Sequence, residues 1–423
     1  MKKYIFFVVG VMCTLLSHTA YAIDLNKSDA NIIGHVLEKK TGEHLPYMTV
    51  ALKGTTIGTM TDGTGHYFLK NLPEGEFILS VSAVGYKPQE RKVTLKRGKT
   101  LEENFELEED MVALDGVVVT ANRNETARRL APTLVKVVTP KLFDMTNSHT
   151  LSQGLVFQPG VRVENDCQNC GYSQVRINGM DGKYTQILID SRPIFSALAG
   201  VYGLEQIPAN MIERVEVVRG GGSALFGSSA IAGTVNIITK EPLRNSGSFA
   251  HSISNFDGSG SFDNNTTLNL SLVSSDNKMG AYIYGQNRHR SAWDSNGDSF
   301  SELPKLKNQT VGVNAYYRLS PYSKLNLEYH HMEEFRRGGN RFDLPPHIAE
   351  DANLNGSGEP GLVEQIEHSI NTGGLKFSAF SKDQKHAFNA YASAQHIVRD
   401  SYYSAYGHTT DFTGVLGAQY IYH

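Results

Sequence analysis

The sequence predicts a mainly β protein made of a small β-sandwich, a mixed α/β domain and an antiparallel transmembrane β-barrel. Three observations support this fold class. Residues 31–107 carry short alternating runs between turns, and from residue 245 the alternation continues in long runs. Forty glycines, twenty tyrosines and nineteen phenylalanines in 423 residues are typical of β structure with many turns. The formal net charge of −3 argues against nucleic acid as a partner.

Residues 1–22 have the pattern of a secretory signal peptide. Lys2 and Lys3 form the charged start, an apolar run follows, and Ala20-Tyr21-Ala22 supplies the small-residue cleavage site. The apolar run is too short for a transmembrane anchor. We therefore expect the segment to be removed together with Cys13, and the mature chain to be exported without a membrane helix.

Residues 31–107 predict the sandwich. Turn-forming residues separate the alternating runs at 61–65 and 73–75. His35 and Glu38 match a zinc-protease HxxE pattern, but residues three apart on a strand face opposite sides and cannot readily share a metal. The expected strands are Ile32–Val36, Met48–Leu52, His66–Leu69, Phe77–Val84 and Lys92–Leu95.

Residues 108–127 predict a linker that contains one exposed edge strand. An acidic stretch precedes a lone β-branched run, and such a strand can be captured by another protein's sheet through main-chain hydrogen bonds. The alternative is an ordinary first strand of the next domain. The residues of this coupling strand are Asp115, Gly116, Val117, Val118, Val119 and Thr120.

Residues 128–240 predict the mixed domain. A short helix is expected at Thr150–Phe157 and a further helical turn at Ala209–Ile212. The expected strands are Val161–Glu164, Gln174–Ile177, Gln186–Ile189, Arg214–Val218 and Thr234–Thr239, the last two joined by a glycine-dense connection. Cys167 and Cys170 favour a disulfide in an oxidising compartment, because no second cysteine or histidine pair completes a metal site.

Three stretches resemble one known family. ERVEVVRGGGSALFGSSAIAGTVNIITK, which ends at Lys240, resembles the end of the plug domain of TonB-dependent outer-membrane receptors. RINGMDGKYTQILIDSRPIF resembles the central plug signature, with Asn178 where the family usually has arginine and Ser191 where it usually has glycine. GTTIGTMTDGTGHYFLKNLPEGEFILSVSAVGY resembles the carboxypeptidase-regulatory-like domain that precedes many of these receptors, and implies a periplasmic spacer or partner-docking module.

The resemblance implies roles for two sets of residues. The coupling strand would be the TonB box, captured by a TonB-type inner-membrane energy-transducing complex. The plug loops would form the floor of the ligand site, although they could equally be plain exposed turns. The ligand-contact candidates are Asp166, Cys167, Cys170 and Tyr172 in the apical loop, then Met180, Tyr184, Phe195 and Tyr202.

Residues 245–423 predict the first part of an outer-membrane barrel. The long runs place apolar and polar residues on opposite faces. Short turns at 274–278, 320–323 and 381–385 alternate with long loops at Arg290–Gln309 and Glu334–Ser369, a pattern typical of such barrels. About eight strands are expected, whereas the resemblance implies about twenty-two, so we expect the chain to be part of a longer receptor with a lipid-facing wall.

One long loop has oxygen ligands at alternate positions around a glycine. Asp294, Asn296, Asp298 and Glu302 would suit calcium, although the match to an EF-hand loop is imperfect and a solvated polar loop is the alternative. Oxygen ligands of the next long loop could complete the site: Asp343, Asp351, Asn353 and Asn355. A calcium-ordered loop would tilt the ligand toward a corrinoid, since the cobalamin receptors of the family have such loops. The basic side chains of His330, His331, Arg336 and Arg337 would equally serve haem or an anionic siderophore.

These expectations converge on TonB-dependent active transport of a scarce metal chelate across the outer membrane of a Gram-negative bacterium. The chelate would be a ferric siderophore, haem or cobalamin, and the N-terminal domains would be periplasmic. We expect no catalytic residue and no required cofactor; a calcium ion, if bound, would be structural. The alternatives are a receptor whose main role is signalling, or a non-functional truncated receptor.

Overall fold

The computed structural model describes residues 28–83, 85–109, 117–118, 126–127, 135–167, 172–192, 207–221, 226–227, 229–351, 361–383 and 385–422. The predicted signal peptide and its Cys13 lie outside these residues. Within the described ranges, no helix has both the length and the apolar character needed to cross a membrane.

The N-terminal domain is a sandwich of two four-stranded sheets. One sheet has the order β4-β1-β7, with β8 also pairing β1, and the other has the order β3-β2-β5-β6. Alternate residues of both sheets, such as Ile32, Val50 and Leu79, are fully buried and form one core. The strands are β1 (Asn31–Glu38), β2 (Thr49–Leu52), β3 (Gly58–Met60), β4 (His66–Leu69), β5 (Gly75–Ser82), β6 (Gln89–Leu95), β7 (Thr100–Glu102) and β8 (Phe105–Leu107).

The mixed domain predicted at residues 128–240, called the plug from here on, forms a four-stranded sheet and a separate hairpin. Strands β11 (Val135–Val138), β14 (Thr185–Ile189), β15 (Ile212–Arg219) and β16 (Gly233–Thr239) make the sheet in the order β11-β15-β16-β14. Within this sheet, β14 and β16 pair in parallel, and the other neighbouring strands pair antiparallel. The hairpin consists of β12 (Val161–Cys167) and β13 (Tyr172–Ile177), and two short helices precede it, α1 (Pro140–Met145) and α2 (Leu151–Leu155).

Gly233, the first residue of β16, allows a close approach to the backbone of β15. A Cβ added to Gly233 would lie 2.3 Å from the carbonyl oxygen of Val218 on the neighbouring strand. The predicted helix Thr150–Phe157 was too long at its C-terminal end, because α2 ends at Leu155, after which a turn with exposed Val156 and Phe157 follows. The helical turn predicted at Ala209 is present as a 3-10 turn, Ala209–Met211.

The C-terminal part is one antiparallel sheet whose eight strands pair in sequence order. This confirms the mainly β fold class and the count of about eight strands. The strands are β17 (Ser246–Asn255), β18 (Phe262–Val273), β19 (Met279–Arg290), β20 (Lys305–Ser320), β21 (Ser323–Gly339), β22 (Val363–Phe380), β23 (His386–Tyr403) and β24 (Tyr406–Tyr422). Along the middle strands, buried residues alternate with exposed apolar ones such as Val311 and Leu319.

The two long loops are shorter than predicted. They span 291–304 and 340–362, because the flanking strands continue beyond the residues that alternate between apolar and polar. Most of the residues added to these strands are polar or charged, and they remain paired with the neighbouring strand; Arg290, for example, lies opposite Leu306. The apolar–polar alternation in the sequence therefore ends before the hydrogen bonding between the strands does.

The plug packs against the inner face of this sheet, by which we mean the face directed toward the plug. Tyr282 and Tyr284 of β19 belong to the same buried cluster as plug residues such as Ile212 and Ile237. The hydroxyl of Tyr282 donates to the carbonyl oxygen of Asn210 at 2.9 Å. The plug and the eight-stranded sheet β17–β24, called the wall from here on, therefore share part of one core.

Candidate functional site: the plug and the inner face of the sheet

A buried ion pair joins the plug to the wall. The guanidinium of Arg192, just after β14, donates to the carboxylate of Glu328 on β21 at 2.5 Å, and the Asp190 carboxylate lies 3.7 Å away. Only 5% of the Arg192 side chain is exposed. Gly374 on β22 leaves the space, since a Cβ there would lie 2.3 Å from a Glu328 oxygen. The pair is thus enclosed by both domains.

A second polar contact lies where α2 begins. Arg288 on β19 donates twice to Asp263 on β18, at 2.5 and 3.0 Å, and both side chains are buried. His149 of the plug is close to this pair, and Gln286 donates to its carbonyl oxygen at 3.4 Å. Burial lowers the pKa of His149, the charge of Arg288 lowers it further, and Asp263 opposes them.

The four basic residues singled out in β21 do not form one site. Adjacent strand residues point to opposite faces, so the structure separates them. His330 faces inward and its Nδ1 lies 3.1 Å from the Tyr284 hydroxyl, whereas His331 contacts Asn371 at 3.0 Å. The buried side chain of Arg336 donates to Glu334 at 3.2 Å. Arg337 donates instead to loop carbonyl oxygens, at Leu344 and Arg341.

The predicted calcium ligands lie together in the loop after β19. Carboxylate oxygens of Asp294, Asp298 and Glu302 fall within 4.8 Å of one another. Asn296 donates to Asp298 at 3.0 Å, and loop amides donate to Asp294. The oxygen atoms are therefore gathered, and calcium binding stays a prediction. The proposed supplementary ligands Asn353 and Asn355 lie outside the described residues, whereas Asp343 and Asp351 lie within them.

The plug-loop candidates are only partly covered by the structure. Met180 and Tyr184 are partly buried and pack against the plug core, and the Lys183 ammonium lies 5.1 Å from the centre of the Tyr184 ring. Cys167 pairs with Tyr172 through the backbone. The other candidates, Cys170, Phe195 and Tyr202, lie outside the described residues, as do the side chains of Asp166, Cys167 and Tyr172. The Cys167–Cys170 disulfide and the ligand contacts stay predictions.

A shallow cavity lies at the base of the plug hairpin. Its volume is about 340 Å³, and its charged lining residues are Arg162, Glu164 and Arg176. Arg162 pairs with Glu164 at 2.9 Å, and Arg176 contacts the same carboxylate. These ion pairs belong to the hairpin itself and support its shape.

The coupling strand is described at two residues. Val117–Val118 forms a two-residue strand, β9, which pairs antiparallel with β10 (Thr126–Ala127). Among the described residues, no third strand pairs with this two-stranded sheet, which leaves one edge of β9 for a further strand. Asp115, Gly116, Val119 and Thr120 lie outside the described residues.

The sequence did not predict a contact between the sandwich and the short turn at 320–323. The amide of Thr56 donates to the carbonyl oxygen of Pro321 at 2.8 Å, and Tyr322 packs against the sandwich core. The guanidinium of Arg244 lies 4.5 Å from the centre of the Tyr47 ring. Residues so distant in sequence give no local signal of this contact.

Two domain families match the chain. Residues 127–234 match the TonB-dependent Receptor Plug Domain, and residues 32–119 match the CarboxypepD_reg-like domain. The chain is 32% identical over 229 residues to a vitamin B12 transporter BtuB of Vibrio vulnificus, a match that covers 47% of this chain and 37% of that protein. It is 37% identical over 128 residues to BtuB of Photobacterium profundum, covering 30% and 20%.

Solved structures share the fold at low sequence identity. The siderophore receptor PirA of Acinetobacter baumannii matches with a TM-score of 0.55 and 19% identity, over 68% of this chain and 44% of that one. The ferric enterobactin receptor PfeA of Pseudomonas aeruginosa matches with a TM-score of 0.55 and 18% identity, over 71% and 47%. The chain thus spans less than half the length of these relatives and structures.

Proposed function

The chain carries the plug domain of the TonB-dependent receptors, and from that premise we propose that it serves active transport of a metal chelate across the outer membrane of a Gram-negative bacterium. The observation that carries the proposal is the attachment of the plug to the inner face of the sheet by buried polar contacts. The Arg192–Glu328 pair is the central one. The N-terminal sandwich and coupling strand would lie in the periplasm.

Polar contacts suit a plug that must move. A hydrogen bond within the protein contributes only about 1 kcal/mol net, because water replaces the lost partner. Asn210 illustrates this, since it donates to Asn269 at 2.9 Å and to the carbonyl oxygen of Gly285 at 3.1 Å. Water entering between plug and wall would satisfy the same groups. The polar part of the interface would therefore separate at far lower cost than an apolar interface of equal area, and the shared core around Tyr282 and Tyr284 adds an apolar part.

The coupling strand supplies the proposed point of force. A TonB-type inner-membrane complex would add a strand to Asp115–Thr120 and pull, and the open edge of β9 supports this mode of capture. This mechanism makes and breaks no covalent bond, so we assign transport and no enzymatic activity.

The ligand would be a bulky chelate with anionic or hydrogen-bond-accepting groups. On the inner face, Arg288 and Arg336 already pair with Asp263 and Glu334, so a ligand would meet these ion pairs. The sequence relatives are named vitamin B12 transporters, which favours cobalamin, while siderophore receptors share only the fold. Haem and ferric siderophores therefore remain in the test.

The test is uptake into a Gram-negative host that lacks its own receptors for these ligands. Labelled cobalamin, haemin and ferric siderophores are compared with and without a receptor in which this chain is completed to the length of its relatives. We expect energy-dependent uptake of one of them. Val118→Pro should abolish uptake while leaving ligand binding intact, because proline cannot donate the main-chain hydrogen bond that strand capture needs.

The matched control is Val118→Thr, which keeps a β-branched residue and the amide and should transport normally. Uptake that is equal for the proline and threonine variants would contradict capture of this strand. Ligand binding without energy-dependent uptake would contradict transport and favour a signalling receptor.

A further inference from the structure

Three histidines that are dispersed in the sequence meet at one end of the sandwich. The pairing of β1 with β4 sets His35 directly opposite His66, and the chain then folds back so that His44 bridges to Leu37. The ring centres lie 5.2 Å apart for His35 and His44, 5.7 Å for His35 and His66, and 4.9 Å for His44 and His66. His44 and His66 are exposed and His35 is half-buried, so all three rings can be reached from solvent.

The ring centres are spaced as those of imidazoles that share a metal ion, although the ring nitrogens, as the rings now stand, do not all lie within 4.8 Å of one another. With a metal–nitrogen distance of about 2.0 Å, each ring centre lies about 3.2 Å from the ion, and a tetrahedral angle then separates two ring centres by about 5 Å. The three measured separations bracket this value. The rings are inclined at 29° to 65°, with His44 and His66 stacked, so binding of an ion would require a ring such as His44 to turn about χ2, a broad and low-cost rotation.

A hydrogen-bonded relay fixes the protonation of His66. The Thr64 hydroxyl donates to Asp62 at 2.7 Å, so its oxygen is left to accept from Nδ1–H of His66 at 3.1 Å. The lone pair of His66 then lies on Nε2, the nitrogen that a metal would bind. A partner on the far ring nitrogen is the arrangement that orients metal-binding histidines.

The backbone is also shaped to bring His44 against the turn that carries His66. Gly65 has a φ of +77°, and a Cβ there would lie 2.8 Å from the Cβ of His44. The Asp62 carboxylate accepts the amide of His66 at 3.0 Å, which holds the same turn. The approach of His44 therefore depends on a glycine at one defined position.

We propose that His35, His44 and His66 form a binding site for a divalent transition-metal ion such as Zn²⁺, with a fourth position open to water or to another ligand. Imidazole nitrogen is a preferred ligand of Zn²⁺, Cu²⁺ and Ni²⁺. The alternative is a set of surface rings that stack on one another without binding an ion. The proposal concerns the sandwich alone and does not depend on the transport function.

The experiment uses the whole chain in detergent, with any histidine tag removed. Co²⁺ is titrated while its visible absorption is recorded, because tetrahedral coordination gives intense bands, and Zn²⁺ then displaces it in competition. We expect one ion per chain. His35→Gln, His44→Gln and His66→Gln should each weaken affinity at least tenfold, and Thr64→Val about tenfold through loss of the relay.

The matched control is His289→Gln, an exposed histidine on β19 that should leave affinity unchanged. Thermal unfolding in chelator checks that each variant is folded, and Zn²⁺ should raise the unfolding temperature of the parent chain but not that of His35→Gln. Absence of saturable binding, or equal loss in the His289 and His66 variants, would overturn the site.

Discussion

The Arg192–Glu328 pair makes a quantitative prediction about how firmly the plug is held. Replacing Glu328 with glutamine keeps the size of the side chain but removes the charge opposite a guanidinium whose side chain is only 5% exposed. Removing one partner of a buried pair typically costs about 3–5 kcal/mol. Asp190, 3.7 Å from Arg192, offsets part of this loss, so we expect about 3 kcal/mol.

Hydrogen–deuterium exchange of the chain in detergent measures this energy where it acts. A loss of about 3 kcal/mol should speed exchange of β14 amides by roughly a hundredfold, provided that exchange occurs by local opening of the plug. Adding Arg192→Met removes the stranded charge and should restore most of the protection. The control is Glu90→Gln, which breaks an exposed pair with Lys53 and should cost well under about 1 kcal/mol.

Two outcomes would refute the reasoning. If Glu328→Gln changed β14 exchange no more than Glu90→Gln did, the pair would not anchor the plug. If the double variant were less protected than Glu328→Gln alone, an unpaired Arg192 would not be the source of the cost.

Three further predictions concern the plug and the acidic loop. Gly233→Ala should lower the unfolding free energy of the plug by about 3 kcal/mol, because the new Cβ would meet a backbone oxygen. Gly221→Ala, where the new Cβ would have no atom within 4 Å, should change that free energy little. Limited proteolysis would distinguish the two variants. Because burial and Arg288 lower the pKa of His149, plug stability should be constant above about pH 6.5 and fall below it, and thermal unfolding of His149→Gln should not show this decline. If the loop binds calcium, a chelator should speed its proteolysis, and Asp294→Asn should abolish that difference.

The periodic parts of the fold could be predicted from the sequence, because alternation reports which face of a strand is buried. The five strands expected in the sandwich are all present, and so are eight strands in the large sheet. Strands β3, β7 and β8 were not predicted, because three residues are too few to display a period. The outer ends of β19 to β22 were assigned to loops because polar residues there occupy both faces of the ladder.

The candidate site was harder to predict, because its contacts join residues that are far apart in the chain. Arg192 and Glu328 are separated by 136 positions, and the family pattern marks only the neighbouring Ser191 as a departure. His35 was considered with Glu38, its neighbour in sequence, whereas its neighbours in space are His44 and His66. Which residues lie opposite each other depends on how the strands are aligned, and a single sequence does not show the alignment of strands that are far apart in the chain.

The order of strands in the plug sheet has a mechanical consequence. The strand nearest the coupling segment, β11, lies at the sheet edge and is joined to β15 along only four residue pairs, from Val135–Val218 to Val138–Val215. Tension applied at Val135 and directed away from β15 loads the first of these pairs before the others, so the bonds would break in succession rather than together. The work of unfolding would then be spread over distance, and a modest sustained force could detach β11 while β14, β15 and β16 remained joined.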